Sequence, residues 1–472
     1  MNTTQEQMDY RRQVTAPERL FRWSPFSTVT MVAQIKGRVT EGMLVDAVAK
    51  VQQRHPLLRV RMEEDPEGVP IFTSEGVAGI PVSVVPRDSG RDWVAAHLEA
   101  SRRPFEFSSR PAIRLILVQS PEESELIILC HHIICDGLSL AYLARDLLQH
   151  LGDPERPVAS LPASAPIDLE NLPASISTNG IARFFINRMN RQWQADPVEF
   201  DEADYLAANQ AYWDAYDHRI LPIKLCEEAT TDLVQICRAN GVTVNSALSA
   251  AFLAGQTLVQ GELPRVGNIG IAASLRDRLP KPAGEGMGFY AGVVTTDYRY
   301  RAKLGFWENA RRFHRQVKPL FTDERLLGDF ASWLHLDPGI MDALNFKRLG
   351  QLVAPADSRH SKLAGYARRD DLVSRILKRS RSESLNRKAM GTAMTNLTRM
   401  PFPRTYGPLE LDRLIMQPGG AFPLVMVNMV LGVVTCSGKL SLVVEHAEQA
   451  VDSATVAEIA ETAMCLVQNN CS

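Results

Sequence analysis

In the stretch ELIILCHHIICDGLSLAYLARDLLQHL, residues 125–151, two adjacent histidines, His131 and His132, are followed by Asp136 and Gly137 at the seam between an apolar run and a helical one. A neutral imidazole in a cleft is suited to take a proton from an alcohol or amine, because its pKa lies near working pH. If a strand runs into the pair, the two side chains point to opposite faces, and only one can face a given cleft. Asp136 lies four residues past His132, inside the turn. Gly137 follows it and lets the backbone bend sharply or approach another element. The bland alternative is a loop whose polar side chains are satisfied in the core or solvated. A metal site on Cys130, His131, His132, Cys135 and Asp136 has suitable ligand types, but a strand splits neighbours between faces and no second ligand pair stands at zinc-like spacing. A Cys135 nucleophile beside a histidine lacks a third, orienting group in the sequence. Serine-hydrolase elbows, phosphate loops and dinucleotide fingerprints are absent.

The elements around these residues read as mixed α and β. VTMVAQIKG (29–37) suits a strand. Leu44, Ala47, Val48 and Val51 then recur at helical spacing, with Thr40 as N-cap and Pro56 as stop. PAIRLILVQS and ELIILC form neighbouring strands joined by PEES, and the second feeds the histidines. After Gly137, Leu140, Leu143, Leu147, Leu148 and Leu151 make one apolar helical face. Further on, a helix capped by Thr243, a strand at RVGNIGIAASLRDRL, a helix at FWENARRFHRQV, a hairpin around CSGK and a closing helix make a second αβ half. The Pro-, Ser- and Ala-rich run 152–171 leads out of the first half. The expected division is an N-terminal lobe at 1–165, a linker at 166–200 and a C-terminal lobe at 201–472.

With 472 residues, 45% hydrophobic and 22% charged content, the chain is a folded globular one, large enough for more than one domain. A net charge of −2 excludes nucleic-acid binding driven by overall electrostatics. The first residues carry no apolar stretch after their charges, and the longest apolar run, FPLVMVNMVLGVV, is too short for a membrane span; a cytoplasmic location is the expectation. Seven cysteines without paired spacing fit free thiols in a reducing compartment.

His131, His132, Asp136 and Gly137 match the HHxxxDG signature of the condensation-domain and chloramphenicol acetyltransferase-like acyltransferase superfamily, in the strand-to-helix context which that superfamily uses. RHPLLR, Arg54 to Arg59, resembles a second motif of the family, and TNLTRMPFPRTYGPLELDRL with its following hairpin and last helix resembles the end of its stand-alone acyltransferases. The resemblance covers nearly the whole chain. It implies an α/β (α+β) fold of two chloramphenicol acetyltransferase-like sandwich lobes forming a V, with a central tunnel and the motif near its middle.

The resemblance further implies an acyl thioester donor, on coenzyme A or on the phosphopantetheine arm of an acyl carrier protein, and a hydroxyl or amine acceptor. No tightly bound cofactor and no metal are implied. His132 would be the general base and His131 structural. Asp136 would point away from the tunnel and brace the loop through an ion pair with Arg59, while Gly137 leaves room for substrate and turns its N–H toward the developing oxyanion. Thr395 and Asn396 fall where the family brings a second-lobe segment to the tunnel. The DFGWG segment of peptide-forming condensation domains is missing, which favours a discrete O- or N-acyltransferase, ester formation first. An amide-forming, epimerising or cyclising relative acting on carrier-bound substrates, and a binding protein that has lost turnover, are the competing readings. The expected assembly is a monomer.

Two segments bear on partners. Residues 359–388 hold ten Lys or Arg against three Asp or Glu, a balance of +7 that leaves −9 for the remainder. This basic insertion reads either as a solvated excursion or as a landing surface for an acidic carrier, coenzyme A phosphates or an anionic membrane. IARFFINRMNRQWQ, residues 181–194, interleaves Arg with Phe, Met and Trp. Its expected role is packing on the second lobe, with peripheral membrane contact as the alternative.

Overall fold

The structure is a computed structural model, and it describes residues 10–87, 92–261, 269–354, 361–380 and 391–468. The strand Glu123–His131 shows why its run is apolar throughout: Leu126, Ile128 and Cys130 face one core while Ile127 and Leu129 face another, so both faces are buried. It lies at the centre of a six-stranded sheet. The order is Thr405–Tyr406, Leu409–Gln417, Thr28–Lys36, Glu123–His131, Ile113–Gln119 and Val82–Pro86. Pairing is antiparallel except between the last two strands, which run parallel.

A second six-stranded sheet follows the order Ala291–Thr296, Ile269–Ser274, Thr392–Arg399, Met429–Cys436, Lys439–Ala447 and His218–Lys224. Here Thr392–Arg399 runs parallel to both of its neighbours. Each sheet carries helices on its core face. The helix Gly137–Gly152 presses Leu140, Leu143, Leu147, Leu148 and Leu151 into the first core beside the helix Glu41–Arg54, which Thr40 caps through Met43 N–H. The helices Val244–Gln260 and Ser453–Gln468 pack together in the second core. A small sheet of Arg11–Gln13, Pro70–Thr73 and Arg61–Glu64 completes the first lobe.

The two-lobe expectation holds, but the lobes are not consecutive in sequence. Leu409–Gln417, expected within the C-terminal lobe, pairs with Thr28–Lys36 in the N-terminal sheet. The first core also takes Tyr205 and Tyr212 from the helix Glu202–Ala215, and Ile340 and Phe346 from Pro338–Leu349. The segment 166–200 is more than a linker. Ile167, Leu172 and Ile176 are buried in the second core, and the helix Gly180–Gln194 buries Trp193 in the first core, not the second. Periodicity marks an apolar face but does not say which sheet it meets. The basic insertion is likewise ordered where it is described: Ser361–Arg368 and Leu372–Ser380 are helices whose Leu363, Tyr366, Val373 and Leu377 sit in the first core. Residues 359, 360 and 381–388 of the expected insertion lie outside the described residues. Cys130, Cys135, Cys226, Cys237 and Cys436 are free thiols, whereas Cys465 is disulfide-bonded, against the expectation for that residue.

The lobes touch backbone to backbone. A Cβ at Gly432, in the second sheet, would stand 2.1 Å from Met416 O and 2.8 Å from Pro418 Cδ on the crossing strand of the first. Only glycine lets the two strands approach this closely. Gly432→Ala is therefore expected to destabilise the protein by about 1–3 kcal/mol or more, the range for overpacking a site that cannot give way. Urea unfolding of the variant checks this, and a midpoint equal to the parent's would place the lobes further apart than described.

Candidate active site

The strand Glu123–His131 ends at the first histidine, and His132 opens the turn with its N–H donating to Ser27 O at 2.8 Å. Ile133 and Ile134 anchor the turn in the core. Asp136 then caps the helix Gly137–Gly152, accepting from Ser139 N–H at 2.7 Å. One rigid path of six residues thus fixes both the imidazole and the helix start.

The two histidines have different surroundings. His131 is buried, with the edges of Phe105 and Phe107 against its ring. Its Nε2 lies 3.3 Å from Ser24 O, and its Nδ1 accepts from Ile133 N–H at 3.3 Å. Both ring nitrogens are used, and burial lowers its pKa to about 3. His131 is a neutral structural ring. His132 is half-buried, stacked on Phe21 at 4.6 Å and met edge-on by Phe289 at 5.2 Å. Its Nδ1 lies 2.9 Å from Cys135 O. A carbonyl only accepts, so Nδ1 carries the proton and Nε2 of the neutral ring keeps a bare lone pair. Burial lowers the pKa of this ring, against the opposing pull of the Cys135 carbonyl and the Asp136 charge. A half-exposed imidazole held neutral, with a defined tautomer, has the properties of a general base. Cys135 does not compete as nucleophile. Its thiol is buried, 3.3 Å from His131 O, and burial pushes its pKa well up.

Asp136 does not pair with Arg59. Its Oδ1 receives Arg276 at 2.8 Å and both Ser139 N–H and Oγ, while Oδ2 receives Tyr290 N–H at 3.1 Å. Arg276 also donates to Gly284 O and Gly286 O at 2.9 and 2.7 Å and lies over the Tyr290 ring. Asp136 and Arg276 are each 3% exposed, and they come from different lobes. The carboxylate braces the turn, but through a partner 140 residues downstream, and Asp136 lines the cleft between the lobes instead of pointing away from it. In RHPLLR it is Arg54 and the buried His55 that bind a carboxylate, that of Asp146 on the helix Gly137–Gly152, at 2.8 and 2.9 Å. Both motifs therefore tie elements to the same helix.

Between the lobes, at the start of this helix, lies a cleft of about 460 Å³ whose walls include Asp136, Gly137, Asn245, Thr395, Asn396 and Arg399. The structure thus brings Thr395 and Asn396 to the same space as Asp136 and Gly137. The ladder of their strand skips between Asn396 and Arg399, where Asn396 Oδ1 takes Thr398 N–H at 2.7 Å and Thr398 adopts φ 60°. A Cβ on Gly137 would stand 3.0 Å from Leu397 Cδ2, so glycine keeps the cleft open there. His132 lies across the turn, behind Phe21 and Phe289, and not in the cleft wall. Sequence reading missed Arg276, Phe21, Phe289 and Asn245. Asn245 lines the cleft, and its buried Oδ1 has no hydrogen-bond partner among the described residues, which leaves an acceptor for a ligand N–H or O–H. Arg276 had a weak signal, a cation just past an apolar strand, but nothing local names its partner.

Residues 13–152 match the family model of the condensation domain. Cyclosporin synthetase simA of Tolypocladium inflatum is 26% identical over 234 residues, 49% of this chain and 2% of that protein. Phthiocerol/phthiodiolone dimycocerosyl transferase of Mycobacterium ulcerans is 24% identical over 268 residues, 54% of this chain and 59% of that protein. The chain thus spans a small part of the synthetase and under two thirds of the transferase. Among solved structures, TRI3 trichothecene 15-O-acetyltransferase from Fusarium sporotrichioides superposes with a TM-score of 0.62 at 13% identity, covering 98% of this chain and 95% of that one.

A buried ion pair that loses one member leaves an uncompensated charge, at a cost of about 3–5 kcal/mol. Asp136→Asn and Arg276→Met are each expected to destabilise the protein on that scale, and the double variant by clearly less than the sum. A thermodynamic cycle from denaturant unfolding measures the coupling; additive losses would mean that the two side chains do not act as a pair.

Proposed function

We propose that this chain, a member of the condensation-domain and chloramphenicol acetyltransferase-like acyltransferase superfamily, transfers an acyl group from a thioester donor to a hydroxyl or amine acceptor, with His132 as the general base. The observation that carries this reading is the His132 ring: Nδ1–H tied to Cys135 O, Nε2 bare, and the ring held neutral by its surroundings. In this reading the thioester occupies the cleft at the start of the helix Gly137–Gly152, and the acceptor has to reach Nε2 past Phe21 and Phe289, whose rings close the imidazole from two sides. Nε2 takes the acceptor proton as its oxygen or nitrogen bonds to the thioester carbonyl carbon. The carbonyl oxygen gains the negative charge. Gly137 is the first residue of its helix, so its N–H has no partner within the helix and can donate to that oxygen, helped by the helix dipole. Collapse of the tetrahedral intermediate breaks the C–S bond, and the leaving sulfur takes the proton back from the imidazolium. No step needs a metal, and coenzyme A or the phosphopantetheine arm of a carrier protein is substrate, not cofactor.

The name of TRI3, a 15-O-acetyltransferase, supports ester formation as the first choice, and that of the dimycocerosyl transferase from Mycobacterium ulcerans supports acyl transfer in general. The condensation-domain match over residues 13–152 supports the second reading, amide formation on carrier-bound substrates. Thr395, Asn396 and Asn245 would contact the donor's polar arm in either case.

His132→Ala is expected to keep the fold and to lower acyl transfer by about two to four orders of magnitude. Mass detection of products from a panel of acyl-CoA and acyl-carrier donors with alcohols and amines measures the loss. Full activity in the variant with a competent substrate pair would remove His132 from the mechanism. Because the folded ring titrates below the ordinary 6.5, the base stays neutral until the pH falls under that value. The acid limb of kcat/KM is accordingly expected below 6.5, and a limb above it would place another group in that role.

A further inference from the structure

The helix Gly180–Gln194 has two faces, and only one of them meets other described parts of the protein. Ile186, Met189, Asn190 and Trp193, spaced i, i+3, i+4 and i+7, face inward: Ile186 and Trp193 are buried, Met189 packs on the first core, and Asn190 exchanges hydrogen bonds with His335 O and Asp337 N–H, each at 2.9 Å. Ile181, Phe184, Phe185 and Arg188 repeat the same spacing on the opposite side. Ile181 is 75% exposed, Phe184 59% and Phe185 55%, and no large apolar side chain among the described residues is more exposed than the first two. The helix holds three arginines, Arg183, Arg188 and Arg191, all exposed, and no acidic residue.

Beside it lies the helix Leu372–Ser380, which also contains no acidic residue and exposes Arg375 and Arg379, together with Lys378, whose Nζ pairs with Asp370 at 3.1 Å. The ion pair of Arg369 with Asp196 joins the segments that flank the two helices. An apolar ridge with cations along it, on a face that no described element covers, is the pattern of a helix lying in a membrane interface. We propose that this face docks the protein on an anionic lipid bilayer, with Ile181, Phe184 and Phe185 entering the acyl-chain boundary and the cations of both helices meeting lipid headgroups.

Charge decides among the occupants. A second copy would bring a like-charged face against this one, which repels. An acidic protein would match the charge but would need a groove of its own to bury three large side chains, whereas a bilayer offers both without further fit. No single helix among the described residues is long and apolar enough to cross a membrane, so the contact is peripheral. The proposal is independent of the acyl-transfer reading and is measured by binding alone.

The test is co-sedimentation of the full chain with vesicles of phosphatidylcholine and with vesicles of equal parts phosphatidylcholine and phosphatidylglycerol. The parent is expected to bind the mixed vesicles at least about tenfold more tightly, and to lose that preference as salt is raised. Joint Phe184→Ser and Phe185→Ser substitution is expected to weaken binding to the mixed vesicles by about tenfold or more. Joint Arg188→Gln, Arg191→Gln and Arg375→Gln substitution should instead erase the preference for phosphatidylglycerol. These side chains are on the surface, so unchanged thermal unfolding is expected in both variants. Should the serine variant fail to fold, the salt series on the parent and the charge variant still decide. The proposal is overturned if the parent ignores the mixed vesicles or if folded variants bind like the parent. It is also overturned if, without lipid, the substitutions abolish self-association or binding to an acidic acyl carrier protein.

Discussion

Two opposite charges shut away from water hold the site together. Asp136 comes from the first lobe and Arg276 from the second, and each would pay heavily for its burial if the other were absent. They must therefore be side by side in the folded protein, and whatever they are attached to is placed along with them. On one side that is the start of the helix Gly137–Gly152 with its Ser139 cap. On the other it is the turn carbonyls of Gly284 and Gly286 and the N–H of Tyr290 at the head of a second-lobe strand. The cleft runs between these attachments.

The same constraint reaches the imidazole. Three residues separate His132 from Asp136, and the ring is tied to the carbonyl of Cys135, one residue before the charge pair. Fixing the carboxylate therefore fixes the peptide that selects the tautomer. Phe21 and Phe289 close the ring from two sides, and burial lowers its pKa. His131, with both nitrogens satisfied, locks the strand end to Ser24 and leaves its neighbour the free nitrogen.

Much of this was legible in the sequence because it is local. The strand end, the turn and the apolar face of the following helix occupy consecutive residues, and spacing is enough to read them. The segment around Thr395 and Asn396 was legible only through its likeness to a known family, not through its own chemistry. What failed was long-range pairing. Arg59 was a reasonable partner for Asp136 by motif, yet a carboxylate at a lobe boundary is compensated by the cation that the other lobe delivers, and Arg276 gives no local sign of this. The strand Leu409–Gln417 carries an ordinary alternating pattern, which cannot say that it crosses to the first sheet. The basic stretch misled in another way. Its charge suggested a solvated excursion, while Leu363, Tyr366, Val373 and Leu377 anchor its described helices in the core.

The proposed acyl transfer requires His132 to stand ready as a neutral base with its proton on Nδ1. Nuclear magnetic resonance of protein labelled with nitrogen-15 in its ten histidines tests it directly, with the His132 signals assigned by their loss in His132→Gln. At neutral pH a protonated Nδ1 and an Nε2 with the shift of an unprotonated, lone-pair nitrogen are expected. An Nε2–H tautomer, or an imidazolium ring with both nitrogens protonated, would contradict it.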